Sequence, residues 1–106
     1  MKLIEKLSDK IEDEIKDADE YIVCAMNHKQ DHPQLAETFY KLSTEEMQHM
    51  SLLHDQVVKL IDEYRKAHGD PPADMMARYE YLHERHIRAA TEVKIKQAAY
   101  KSSQSM

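Results

Sequence analysis

The chain has 106 residues, 33% of them charged, with a net charge of −5 and a pI near 5.8. That length suits one domain with a modest core. The acidic balance, without a basic stripe or an aromatic platform, excludes a nucleic-acid binder, and no apolar run approaches the roughly 20 residues of a membrane span.

Helix is the expected structure. The chain has one Gly and three Pro to break it, one Phe and no Trp, and it is rich in Ala, Leu, Ile, Met, Glu, Lys and Gln, which are strong helix formers apart from Ile. Cys24 is the only cysteine, so an intrachain disulfide is impossible and a reducing compartment fits. With no signal peptide expected, the predicted location is cytoplasmic.

The first helix is predicted over about 3–29. Its seam is Leu7, Ile11, Glu14, Ala18, Tyr21 and Ala25, with Ile15, Ile22 and Cys24 beside it. Asp31-His32-Pro33 ends this pattern, because Pro is tolerated in a first turn but not in a helix interior. The second helix is predicted over about 33–68, with the seam Phe39, Leu42, Glu46, His49, Leu53, Val57, Leu60 and Tyr64. Gly69-Asp70-Pro71-Pro72 breaks it, Gly being suited to a helix C-cap.

A third helix is predicted over about 73–100, followed by a tail expected to fray. Its seam is Met75, Tyr79, Leu82, His86, Ala90 and Val93, with Met76 and Ile87 beside it. Short connections make sequential helices antiparallel neighbours. The predicted fold is therefore all-α, a single domain of three long helices running up, down and up.

Three polar residues interrupt these seams. Glu46 and His49 form a Glu-x-x-His step, one turn apart on one face, and Glu14 repeats the anomaly on the first helix. Such groups are expected to point at the core, where unpartnered charge is costly. Counted from the turn near Asp31, Glu14 lies about 17 residues back, and Glu46 and His49 about 15 and 18 forward. In an antiparallel hairpin they therefore share one level. Carboxylates with an imidazole suit iron, manganese or zinc. Tyr21 lies two turns from Glu14 and is a candidate for a supporting redox role or for packing.

Glu14-x6-Tyr21 followed by Glu46-x-x-His49 resembles half of a ferritin-like di-iron carboxylate protein, similar to the first two helices of rubrerythrin-type proteins and to the short encapsulated ferritins. The resemblance covers about residues 11–64. It implies a carboxylate ligand from Glu14, a bridging carboxylate from Glu46 and a nitrogen ligand from His49, with oxidation of Fe(II) by oxygen or peroxide. The family pattern needs four helices. The third helix offers a second step, Glu80 and His83, but about 15 residues, or roughly 20 Å, out of level with Glu46. Completion by a second copy is the expectation: a homodimer or higher homo-oligomer with two irons at a shared site.

Other residues carry lesser expectations. Glu80 and His83 read as a solvated face. His54 and His86 come level across the second turn, as core or boundary histidines or as a second site. Asp17 and Glu20 are alternative carboxylates. Cys24 reads as a small buried hydrophobe, and Met26, Met47, Met50, Met75 and Met76 as core gap-fillers. The alternative to the iron reading is a metal-free helical interaction or assembly protein.

Overall fold

A computed structural model describes residues 2–104. It is all-helical, with α1 over Lys2–Asn27, α2 over Pro33–His68 and α3 over Ala73–Gln104. Pro33 opens α2, where its missing N–H is of no consequence. Gly69 closes it at φ 80°, a conformation that side chains disfavour, and its N–H donates to the Arg65 carbonyl at 2.9 Å. No helix among the described residues is long and apolar enough to cross a membrane.

The molecule is a rod of 56 × 19 × 18 Å. Its length is that of α2, whose 36 residues rise about 54 Å. α1 packs closely along α2, whereas α3 lies chiefly on α1 and touches α2 sparsely. Three ion pairs, Arg78–Glu5 at 3.1 Å, Arg85–Glu12 at 3.8 Å and Lys96–Asp19 at 2.6 Å, follow the same order along α1 and α3. α3 therefore runs parallel to α1 along one flank of the α1–α2 pair, and the ridge of residues 5, 12 and 19 marks that flank.

This arrangement turns the buried stripes away from the predicted seams. In α1 the buried residues are Ile4, Ser8, Ile11, Ile15, Ala18, Ile22 and Ala25. In α2 they are Ala36, Ser43, Met47, Val57 and Ile61. Both stripes are shifted toward α3, which covers the α1–α2 pair on that side. Leu7, Glu14 and Tyr21, with Phe39, Leu42, Glu46 and His49, are left along the opposite edge, none of them fully buried. Ile87 and Met26 were expected to pack inside but are exposed, since each lies outside the faces that α3 and α1 present to the bundle. Cys24 is only partly covered, so its reading as a buried hydrophobe does not hold.

The third helix runs past its predicted end to Gln104, within the tail expected to fray; Ser105 and Met106 lie outside the described residues. Tyr100 is buried against Tyr40, with ring centroids 5.1 Å apart, and its hydroxyl donates to Glu37 at 3.2 Å. Gln104 donates to the same carboxylate at 2.8 Å, so the last turn is anchored to α2. These bonds, the Gln104 bond foremost, hold the Glu37 carboxyl below its ordinary proton affinity.

One polar link joins all three helices. The fully buried Ser43 hydroxyl donates to the Ala18 carbonyl at 2.7 Å and accepts from the Gln97 amide at 2.9 Å. Removing the hydroxyl strands the Gln97 donor, at a cost of about 1–3 kcal/mol. Ser43→Ala is expected to lower the unfolding free energy by about that amount in urea titrations followed by circular dichroism. A change indistinguishable from zero contradicts this role.

Candidate metal centre

The predicted cluster forms. α1 carries Glu14 to the edge of the hairpin, and α2 brings Glu46 and His49 to the same level. His49 Nδ1 lies 3.6 Å from Glu14 Oε2 and 3.8 Å from Glu46 Oε1. Among the described residues these form the sole group of three possible ligands whose donor atoms all lie within 4.8 Å of one another.

The cluster does not point at the core as expected. The His49 side chain is 54% exposed, and those of Glu14 and Glu46 are 26% and 19% exposed. The reason lies in the packing: α3 takes the other flank, so among the described residues nothing covers the edge holding the cluster. Glu14 and Glu46 are shielded mainly by each other's helices, and His49 closes the outer side.

The electrostatics are those of a charge awaiting a partner. Glu46 is hydrogen-bonded to Glu14, partly buried and repelled by the Glu14 charge, and together these raise its pKa from 4.5 to about 7. His49 acts in the opposite direction, and the nearby Asp17 adds to the rise. Near neutral pH the Glu46 carboxyl is therefore part protonated, which relieves its repulsion with Glu14. Two carboxylates and an imidazole at these distances fit a divalent ion of the iron, manganese or zinc group. Closure of the donors by a few tenths of an ångström to about 2 Å from a central ion is within side-chain freedom.

Tyr21 is not part of the cluster. It lies two turns along α1, with its ring stacked on Phe39 at 6.2 Å between centroids. Asp17 and Glu20 are exposed and outside the group of three, Asp17 acting only through its charge. Glu80 is exposed, as expected.

His83 departs from the expected solvated face. It is partly buried, with its ring stacked on Tyr79 at 5.8 Å and on His54 at 4.9 Å, and it shares a groove with His86. Burial lowers the proton affinity of both His83 and His86. The signal for His83 was in the sequence. It follows Tyr79 by four residues and precedes His86 by three, spacings that put all three on one face.

Comparison with known proteins finds no matching family model, no matching curated protein and no matching solved structure.

The raised Glu46 pKa gives a signed prediction. Its protonated form is favoured by folding, so its contribution to stability is complete below pH 4.5 and is lost as the pH rises through about 7. Glu46→Gln keeps a neutral group there at every pH. In metal-free buffer the variant is expected to gain stability relative to the unsubstituted chain between pH 4.5 and about 7 and to hold that gain above. Melting temperatures of the two proteins across this range test it, and a constant difference between them contradicts the paired-carboxylate geometry.

Proposed function

We propose that Glu14, Glu46 and His49 are one half of a di-iron site, that a second copy of this chain supplies the other half, and that the assembled site oxidises Fe(II) with oxygen or peroxide. The observation that carries this reading is a pair of close carboxylates from two helices, beside an imidazole, on a flank that the described residues leave uncovered. The choice of iron over manganese or zinc follows the resemblance to ferritin-like proteins, which use this donor set.

Each residue has a distinct task. Glu14 and Glu46 would supply anionic oxygens, and a divalent ion would relieve their mutual repulsion. The resemblance assigns Glu46 the bridging role. His49 supplies the nitrogen donor from the solvent side, where the second copy approaches. Bound Fe(II) is the electron source: two ions together deliver the two electrons that reduce one peroxide, with two protons, to two waters. The hairpin's contribution is to hold oxygen donors that accommodate both charge states of the ion.

The uncovered flank also suits association. Leu3 and Leu35 are 54% and 46% exposed, and Leu7, Phe39, Leu42, Leu53 and Leu60 are only partly covered. Apolar residues grouped around a few polar anchors are typical of an interface core. The same flank supports the second reading, a metal-free assembly protein, and dependence on the cluster separates the two.

Anaerobic loading with Fe(II), followed by oxygen or peroxide, is expected to leave about one iron per chain and to oxidise it faster than buffer does. Both effects are expected to be lost in Glu46→Ala/His49→Ala, with sedimentation showing a dimer whose formation iron favours. A dimer that forms equally in the variant, with no iron bound by either protein, selects the metal-free reading. A strict monomer that binds iron tightly overturns the shared site.

A further inference from the structure

A groove of about 260 Å³ lies where α2 and α3 meet over α1, on the covered flank of the hairpin. Its lining includes Ser8 of α1, His54 and Asp55 of α2, and His83, His86 and Lys94 of α3. His54 follows His49 by five residues, a turn of about 140° around the helix, so this groove and the carboxylate cluster open on different sides of α2.

The histidines are arranged across the weakest junction of the fold. His83 and His86 are one turn apart on α3, on the same face. His54 meets His83 from α2, with the rings 4.9 Å apart and inclined by only 19°, so the two imidazoles stand at one level. Tyr79 supports the far side of His83 at 5.8 Å and 13°. Elsewhere α3 touches α2 sparsely. Three imidazoles from two helices, with a carboxylate at the rim and room for an ion and its waters, make a nitrogen-rich donor set, unlike the oxygen-rich cluster on the open flank.

We propose that this groove is a second cation site, taking a divalent transition metal of the zinc class through His54, His83 and His86. Neutral imidazole is the favoured nitrogen ligand of such ions. The three do not converge within 4.8 Å as they stand; His54 and His83 rotate out of their stack to present ring nitrogens to the ion. The bond then crosses from α2 to α3 and fastens α3 where packing holds it least. A fourth position is left for Asp55 or water, completing a tetrahedral set.

The test uses zinc, which is redox-inert, and the full chain carrying Glu46→Gln and His49→Ala, so that the carboxylate cluster contributes nothing. Calorimetric titration near pH 7.5, where imidazoles are largely unprotonated, is expected to show about one zinc per chain and a raised melting temperature. Adding His54→Ala and His83→Ala is expected to weaken zinc binding by about tenfold or more, since disturbing even an outer partner of a ligand costs that much. No zinc bound by the first variant, or equal binding by the second, overturns the proposal. Should the second variant fail to fold, imidazole NMR of the first one decides. Shifts of His54, His83 and His86 with the first equivalent of zinc support the site, and shifts confined to His28, His32 or His68 overturn it.

Discussion

A pair of antiparallel helices has two flanks, and α3 covers only one. The rest of the structure follows from this constraint. Because α3 lies along the ridge of Glu5, Glu12 and Asp19, the isoleucines beside that ridge become the core. Of the predicted seams of α1 and α2, Ile11, Ala18, Ala25 and Val57 stay buried, while Leu7, Glu14, Tyr21, Phe39, Leu42, Glu46 and His49 lie along the other edge. A fourth helix in the same chain would have buried Glu14, Glu46 and His49. Without it they stand at the surface, in the middle of a strip of half-covered leucines and aromatics. Full burial of two neighbouring carboxylates is costly unless charge and hydrogen bonds compensate it. An edge position lets the chain fold with the cluster only partly satisfied.

The metal-free explanation of seam polar residues is that they pair with one another or reach water at a narrow edge. On the flank that α3 covers, Glu5, Glu12 and Asp19 each meet a cationic side chain of that helix. Glu14, Glu46 and His49 meet one another at a partly exposed edge, an arrangement that the metal-free explanation covers as well as the metal reading does. Among the described residues the one basic group within ion-pair reach of either is His49. The two carboxylates meet each other instead, and their proximity raises the Glu46 pKa to about 7. Perturbed carboxylate pairs of this kind cluster at functional sites, though structural networks produce them too.

Much of the fold was legible because the punctuation is unambiguous. Pro33 and Gly69 mark the limits of α2, and the level of Glu14 with Glu46 and His49 follows from counting residues from the first turn at a fixed rise. What periodicity could not supply was the rotation of each stripe. A seam of Leu7, Ile11, Glu14 and Ala18 and a stripe of Ile4, Ile11, Ile15 and Ala18 differ by less than the width of an apolar face. The choice between them depends on where the third helix lies. The weak amphipathicity of α3 hides that position, since ion pairs and polar links such as Gln97 to Ser43 accompany a short set of buried residues, Ala90, Val93 and Tyr100. The same blindness put His83 in water and the cluster in the core.

The position of the cluster along the rod bears on how a second copy would meet it. α1 spans residues 2–27 and α2 spans 33–68, so their midpoints fall near residues 14 and 50. Glu14 stands at the first midpoint, and Glu46 and His49 stand just before the second. A twofold axis perpendicular to the rod superposes two hairpins over their full length only when it passes near these midpoints. A cluster at either end of the rod would meet its copy only by leaving most of the apolar strip uncovered. With the cluster central, the geometry that brings two sets of ligands together is also the geometry that covers the most apolar surface. In a dimer of the proposed kind, association and metal binding would therefore favour the same arrangement, and each would strengthen the other through the shared interface.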